Sequence, residues 1–253
     1  GPFMITEWVP GSILTLDKNP NYFDKDPIGP GKGNPLPYLD TIKLLVIPDR
    51  STMLAAMRTG KMDYFSGLTW EESAQFKKSH PQIVQEKVVQ WAAGPQLTGR
   101  MDKPGVPWAP QEDPNALKVR RAMNMAINRQ AIVDNYYGGN AMIFAKPWPN
   151  IPEYAGIFRP LSTYSQDVQE MFTYNPEKAK ALLKEAGYPN GFKAIVTIEA
   201  ANVDFFSLLK AYLSKVGVEL VFDTKDSSVY ATTKANRSWP EMTSGWSGTA
   251  GMP

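Results

Sequence analysis

The clearest pattern of apolar and polar positions lies between residues 192 and 222. Phe192 to Glu199 is an apolar run of strand length, and apolar residues then recur at helical spacing up to Gly217. Val218 to Phe222 alternates apolar and polar positions, as a strand does. Short joints between strand, helix and strand predict a right-handed crossover in a parallel or mixed sheet. The second half of the chain is therefore predicted to be α/β.

Three further helices are predicted from their capping residues. Asp113-Pro114 provides an N-cap followed by a proline at a tolerated first-turn position. Asn128 is a good N-cap for a second helix, which ends near Gly138-Gly139. Asn175-Pro176 begins a third helix in the same way, and Gly187 ends it. Each of these segments carries apolar residues on one face, so each is predicted to pack on a sheet.

The first third of the chain shows shorter elements. Residues 18–38 contain repeated Pro and Gly, which predict a long loop. Ile42 to Ile47 is a continuous apolar run between Asp40 and Pro48, as expected of a buried strand.

A short helix and two more strands are predicted after that run. Ser51 or Thr52 is expected to cap the helix, and Gly60 is expected to end it in the left-handed conformation. Met62 to Phe65 then reads as the next strand, and Val84 to Trp91 has strand character.

Composition and charge exclude several classes of partner. The chain has 253 residues, of which 43% are apolar, and a net charge of +2. That charge supplies no field strong enough to indicate nucleic acid or an anionic membrane surface. There is no cysteine, which excludes disulfides and thiolate metal sites, and there is no secretory signal or apolar run of membrane-spanning length.

Candidate catalytic and metal-binding groups have simpler structural interpretations. His80 is the sole histidine and stands in a polar stretch before a proline, which is typical of a solvated loop. Glu71-Glu72 is a close carboxylate pair, but adjacent residues do not face each other across a substrate bond. Arg120-Arg121 is interpreted as structural. Four methionines at helical spacing indicate core packing rather than a soft-metal site: Met53, Met57, Met123 and Met125.

The tryptophans separate into two groups. Trp8, Trp91 and Trp239 adjoin regular segments and are expected to pack in the interior. Three others stand in or beside turns, where their indole faces are available for stacking on a flat or apolar ligand: Trp70, Trp148 and Trp246.

Several blocks together resemble a known family. Val119 to Gly139 reads VRRAMNMAINRQAIVDNYYGG, and Tyr174 to Phe192 reads YNPEKAKALLKEAGYPNGF. Before them stand GPF at the start, KNPNYF at Lys18 to Phe23, and AAMRTGKMD at Ala55 to Asp63. In this order the blocks resemble the family 5 solute-binding proteins of ABC importers, which include oligopeptide, dipeptide and nickel binding proteins.

The resemblance implies a fold. It is an α/β, two-lobed periplasmic-binding-protein-like fold of type II, incomplete here, with mixed sheets and flanking helices. Residues 1–96 would be part of the first lobe and residues 97–253 most of the second. Because the GPF motif lies well inside such proteins, the chain is expected to be a fragment. A fragment of this kind is not expected to bind ligand at full affinity, since half of the cleft would be missing.

The resemblance also implies a function. Such a protein is an extracytoplasmic receptor, periplasmic or on the cell surface, that binds a small solute between its lobes by hinge closure. The solute is a peptide, an oligosaccharide or another molecule. It delivers the solute to ABC permease subunits, and it meets the membrane only through the transporter or through a lipid anchor absent from this chain. No cofactor, no metal, no nucleic acid and no catalysis are expected.

The predicted ligand-binding residues follow from this resemblance. Besides the three turn tryptophans they are Gln96 and Arg100, in the crossing between lobes and its expected hinge, and Thr249. Peptide-binding members carry an Asp three residues after the equivalent of Trp246, where it meets a ligand ammonium. Thr249 stands there instead, and residues 244–253 contain no acid. A solute that is not held by a peptide amine is therefore expected.

Two classes remain as alternatives. A carbohydrate-active enzyme would use the tryptophans for its substrate and would need a placed acid and base. A ligand-free interaction domain would keep the fold without a site.

Overall fold

A computed structural model of the protein describes residues 1–86, 94–110, 112–143, 150 and 154–247. The chain divides into two compact units, Gly1–Gln85 (unit 1) and Glu86–Pro253 (unit 2). Each unit is a mixture of sheet and helix, as predicted. No helix in the described ranges is long and apolar enough to cross a membrane.

Unit 1 contains a three-stranded antiparallel sheet. Its strands are β1 (Phe3–Val9), β2 (Ile13–Lys18) and β3 (Thr41–Leu45), in that spatial order. The predicted strand at Ile42 to Ile47 is confirmed as β3, with slightly different ends, but its expected burial was wrong, since Leu44 and Leu45 are each 51% exposed. One face of this sheet carries Trp8, which is 71% exposed. Its expected place in the interior was wrong, because the sheet face that it shares with exposed Leu44 is open.

Two helices complete unit 1, α1 (Arg50–Arg58) and α2 (Trp70–Ser79). The N-cap of α1 is Asp49, not Ser51 or Thr52 as predicted, because its carboxylate accepts both the backbone N–H and the hydroxyl of Thr52 at 2.7 Å. Gly60 has φ +67° after α1, as predicted.

Two predicted strands of unit 1 are absent where the structure describes them. Met62 to Phe65 is irregular, and Tyr64 is 79% exposed. A four-residue segment does not form a strand without a neighbouring strand to pair with. Val84 to Glu86 is also irregular, and the remainder of that predicted strand, with Trp91, lies outside the described residues.

Unit 2 contains six α-helices in its described part. They are α3 (Pro114–Met125), α4 (Arg129–Asn135), α5 (Gln166–Phe172), α6 (Pro176–Glu185), α7 (Val203–Ser214) and α8 (Ser227–Ala235). Of these, α3, α4, α6 and α7 were predicted from the sequence and α5 and α8 were not. The side chains of Asp113, Asn128 and Asn175 each accept a first-turn backbone N–H, as predicted.

A four-stranded mixed sheet forms the centre of unit 2. Its strands are β4 (Gly94–Gly99), β5 (Phe192–Glu199), β6 (Val218–Lys225) and β7 (Met242–Ser247), in the order β4-β7-β5-β6. The predicted β5–α7–β6 crossover is confirmed, since β5 and β6 pair in parallel along their whole length. β7 is parallel to β5, whereas β4 runs antiparallel to β7.

One face of this sheet packs on helices to form the main core. Val196 and Ile198 of β5 are fully buried, together with Leu183 of α6 and Phe206 and Leu213 of α7. Burial of such a side chain contributes about 1.5–3 kcal/mol. The polar residues of α6 and α7 lie on the outside, so the core explains the amphipathic pattern of the sequence.

The predicted lobe boundary, between residues 96 and 97, falls inside β4. All six residues of that strand pair with β7, so residues 94–96 share the sheet of unit 2. The assignment of residues 1–96 and 97–253 to two lobes stays a prediction, as does the hinge at Gly94 to Arg100.

Candidate functional site

The carboxyl end of β7 lies beyond the residues that pair with β5. In the described chain, β5 and β7 pair only at Val196 with Met242 and at Thr197 with Thr243. Beyond Thr243, β7 continues to Ser247 beside β4 alone. Ligands of open α/β sheets bind outside the carboxyl ends of the strands. This end is therefore the candidate solute site.

Helix α8 supplies two polar side chains to this end. Asp226 caps the helix by accepting the Val229 backbone N–H at 2.9 Å. Tyr230 and Lys234 lie one turn apart, and both donate to the carbonyl oxygen of Ser244, the lysine from Nζ at 3.3 Å. The Ser244 carbonyl lies beyond the residues of β7 that pair with β5, and it accepts hydrogen bonds from these side chains.

The ammonium group of Lys234 is the main charge at this position. It lies 5.5 Å from the ring centroid of Trp239, and a side-chain carbon at Gly245 would lie 3.4 Å from its Nζ. None of the ion pairs in the described part of the chain includes Lys234. A half-buried cation beside β7 therefore keeps its charge available to an acceptor group.

Gln96 lies within the β4–β7 ladder, whereas Arg100 follows the last residue of β4. Gln96 pairs with Gly245, and its neighbour Pro95 pairs with Trp246, so Gln96 lies at the candidate site. The backbone N–H of Arg100 instead meets Glu241, before β7 begins. The structure therefore brings Gln96 and the backbone of Trp246 together and separates Arg100 from them.

The side chain of Arg100 has a structural partner. It pairs with Asp102, with Nε at 3.0 Å from Oδ1, and lowers the pKa of that carboxyl group to about 2. Its Nη1 also donates to the carbonyl oxygen of Trp239 at 3.4 Å. These contacts fix the turn between α8 and β7.

Trp70 lies in unit 1, as the first residue of α2, and is 38% exposed. The helix begins with a capping box in which Thr69 and Glu72 exchange hydrogen bonds. Glu72 also forms an ion pair with Arg50, whose hydrogen bond lowers the pKa of Glu72. In the Glu71-Glu72 pair, Glu72 therefore has a structural role.

Two of the predicted ligand residues, Trp148 and Thr249, lie outside the described residues. For Trp246 the backbone position is given by the strand register, as the partner of Pro95. Their contacts with a solute stay predictions, as do those of Trp70, Gln96 and Arg100.

The other candidate residues have hydrogen-bond or ion-pair partners within the fold. Arg120 Nη1 donates to the carbonyl oxygen of Trp108 at 2.6 Å, and Arg121 pairs with Asp167. His80 ends α2, with its Nδ1 at 2.8 Å from Ser79 Oγ. In the described ranges no group of three His, Asp or Glu side chains could hold a metal ion.

Sequence reasoning missed Tyr230 and Lys234. The signal was their spacing of four residues, which puts both on one face of a helix, but no helix was predicted for this segment. Their target, the Ser244 carbonyl, cannot be found from spacing, because it depends on where β7 leaves β5.

Unit 2 is an α/β fold in which helices flank a mixed four-stranded sheet. The chain belongs to the bacterial extracellular solute-binding proteins, family 5, because the model of the middle part of that family matches residues 1–253. The resemblance stated from the motifs is thereby confirmed.

Individual relatives agree with this membership. The glutathione-binding protein GsiB of Salmonella typhimurium is 27% identical over 259 residues, which cover 99% of this chain and 45% of the relative. The glutathione-binding protein GsiB of Salmonella choleraesuis is 31% identical over 192 residues, covering 76% of this chain and 32% of the relative. The chain spans about half the length, or less, of the curated relatives it matches.

Solved structures agree on the fold. The ABC transporter-associated periplasmic binding protein DppA of Helicobacter pylori, in complex with the peptide STSA, matches with a TM-score of 0.74 and 27% identity. The match covers 98% of this chain and 43% of that chain. The oligopeptide-binding protein AppA of Bacillus subtilis, at 20% identity and a TM-score of 0.68, supports the fold alone.

Proposed function

We propose that this chain acts as part of an extracytoplasmic solute receptor of an ABC importer, in the periplasm or at the cell surface. Membership in family 5 over residues 1–253 is the observation that carries the proposal. The receptor delivers its solute to permease subunits, and hinge closure of two lobes remains the predicted mechanism. A ligand shifts such an equilibrium only by its preference for the closed form.

The solute is proposed to be a small peptide-like molecule bound at the carboxyl end of β7. The names of two kinds of relative support this class, since GsiB is described as glutathione-binding and DppA was solved with a peptide. Gln96, Gly245 and Trp246 provide the strand end, and Lys234 provides the charge.

The charges at this end favour recognition of a carboxylate or carbonyl oxygen. Residues 242–253 contain no acid that would answer a ligand ammonium. The last acid before them, Glu241, accepts the Ile195 N–H at 2.7 Å and lies 3.6 Å from Lys103 Nζ, at the other end of β7. Lys234 is a donor only. The solute is therefore held by its acceptor groups rather than by its amine.

No catalytic role is proposed. The relatives are binding proteins by name, and Glu199 and Asp226, near the carboxyl ends of β5 and β6, each accept hydrogen bonds from within the chain. Receptor function requires no bond to be made or broken.

A titration followed by nuclear magnetic resonance tests the proposal. Glutathione and the peptide STSA are each added in three forms: unmodified, N-acetylated and C-amidated. We expect weak, saturable shifts of the backbone amides of Ser244 and Gly245 that survive acetylation and decrease on amidation. Loss of binding on acetylation, with no effect of amidation, would show that the solute is held by its amine. Saturable shifts confined to other residues would contradict the location of the site.

Lys234→Gln is the matched variant for this experiment, and Lys225→Gln is its control. Lys225 is a half-buried lysine of β6 that pairs with Asp223 at 2.8 Å. The first substitution is expected to weaken binding of the unmodified peptides by about tenfold, the value of one charge-assisted hydrogen bond, while the control leaves binding within about twofold.

A further inference from the structure

A second concave surface lies at the opposite end of the same sheet. Here Gly191 precedes β5 and Gly217 precedes β6, and the side of α6 runs above these two turns. Residues of α6 and of the two turns, among them Asn190 and Gly217, line a groove of about 470 Å³. The two turns approach each other closely, since a side-chain carbon at Gly191 would lie 1.9 Å from the carbonyl oxygen of Gly217.

Three exposed lysines line this groove. Lys180 and Lys184 lie one helical turn apart on α6, and Lys215 follows α7. Glu177 is the one acid among the lining residues and pairs with Lys180 at 3.1 Å. We define these four residues and the two glycine turns as the lysine groove. Its lining carries a net charge of +2, which equals the net charge of the whole chain.

Two of these lysines have no acidic partner in the described chain. No ion pair within 4.0 Å includes Lys184 or Lys215. Lys215 Nζ instead lies 5.0 Å from the ring centroid of Tyr212. The ends of α6 and α7 favour a nearby cation through their dipoles, but an ammonium group has three donors to fill. Both ammonium groups therefore carry a charge that no acidic side chain of the described chain neutralises.

We propose that the lysine groove is a docking surface for an acidic segment of a partner protein. A segment with several carboxylates offers charges at the spacing of successive lysines, and it fits a concave surface. A bilayer surface fits less well, because it is planar and because none of the large exposed apolar residues lines the groove. The partner thus approaches the amino end of β5 and β6.

This docking surface is separate from the candidate solute site, because β5 extends from Phe192 beside the groove to Glu199 at the carboxyl end. Its proposal goes beyond the proposed function and does not depend on it. A partner at the groove leaves the end of β7 open to solute, so both can be bound at once.

A fluorescence titration tests the docking surface. The chain has no cysteine, so Ser214→Cys beside the groove accepts a single environment-sensitive dye. The probe is a hexaglutamate peptide, with hexaglutamine as its neutral counterpart. We expect saturable binding of hexaglutamate at low salt that weakens as the Debye length falls to about 10 Å near 0.1 M salt. No saturable binding of hexaglutamate, or equal binding of hexaglutamine, would overturn the proposal.

Charge variants locate the binding. Lys184→Gln and Lys215→Gln are each expected to weaken hexaglutamate binding by about two- to fivefold, as exposed ion pairs do. Glu177→Gln removes the only negative charge of the lining and is expected to tighten binding by a similar factor. The double variant Lys77→Gln/Lys78→Gln, on α2 of unit 1, matches the combined charge change. Equal losses in that control would show general electrostatic attraction and contradict the assignment.

Two competitors separate the partner classes. Inorganic phosphate is added at a concentration that supplies as many negative charges as the hexaglutamate. It should displace little hexaglutamate, because one phosphate ion reaches one lysine at a time. Vesicles containing one third phosphatidylglycerol should bind the unsubstituted chain no better than they bind the Lys184→Gln/Lys215→Gln variant. Full displacement by phosphate would make this a small-anion site, and groove-dependent vesicle binding would make it a membrane contact; either result overturns a protein partner.

Discussion

Unit 1 and unit 2 bury their apolar residues to very different extents. In the described chain, unit 2 contains almost the whole core, whereas Phe76 is the only large apolar side chain of unit 1 that is fully buried. The exposed apolar residues show the reverse, with Ile5, Trp8 and Phe23 all more than 60% exposed in unit 1. The apolar content of a segment therefore does not indicate how much of its stability comes from burial. Unit 2 is expected to hold most of the folding free energy.

Substitution of one phenylalanine in each unit tests this difference and has the largest expected effect on the free energy of unfolding. Phe206→Ala removes a fully buried ring of α7 and is expected to cost about 3–5 kcal/mol in the free energy of unfolding. Phe23→Ala removes a ring that is 88% exposed and should stay within about 0.5 kcal/mol. Urea denaturation followed by circular dichroism measures both. Similar costs for the two variants would show that unit 1 is not the weaker one.

Two glycines sharpen the comparison at the backbone. Gly191→Ala in unit 2 forces a side-chain carbon against the Gly217 carbonyl and also requires φ +73°, so a loss of about 3 kcal/mol is expected. Gly33→Ala in unit 1 has φ +92° with no atom within 4 Å and should lose about 1 kcal/mol from strain alone. Thermal denaturation gives the difference. An equal loss at both positions would mean that strain, not close approach, dominates.

Acid should loosen unit 1 through Glu72. Its hydrogen bond with Arg50 lowers its pKa in the folded state below the ordinary value of 4.5. The stabilisation is then complete above pH 4.5 and is lost as pH falls through the lower, folded pKa. Hydrogen exchange of the α2 amides should accelerate below that pH, and Glu72→Gln should remove this acid response at a small cost in stability.

The cap of α6 provides the control in unit 2. Asn175 caps that helix with a side chain that does not titrate. Hydrogen exchange at the first turn of α6 should therefore show no such acceleration over the same pH range. An equal acceleration there would point to general acid unfolding instead of Glu72.

Local signals predicted much of unit 2 and less of unit 1. The caps Asn128 and Asn175 act on amides within their own first turns, and β5 is long and apolar enough to be predicted without its neighbours. Asp49 was missed because Thr52, three residues later, looks equally able to cap and in the structure serves as the donor. Met62 to Phe65 was predicted as a strand although pairing, a non-local property, decides that outcome.

The candidate site divides in the same way. Trp246 was found from its motif and Gln96 from the expected crossing, and the ladder brings their backbones together. Lys234 and the structural partners of Arg100 depend on how α8 meets β7, which no local pattern encodes. Turn chemistry and apolar spacing thus predict elements, whereas a site assembled from two strands and a helix requires the tertiary structure.

The position of β7 in its sheet has a consequence for synthesis on the ribosome. β7 lies between β4 and β5, yet it is the last of the four described strands to be made. β4 therefore emerges long before the strand that pairs with it, and at 5–20 residues per second the interval is on the order of ten seconds. During that time its peptide groups have no sheet partner, so a nascent chain held before residue 242 should remain a client of chaperones.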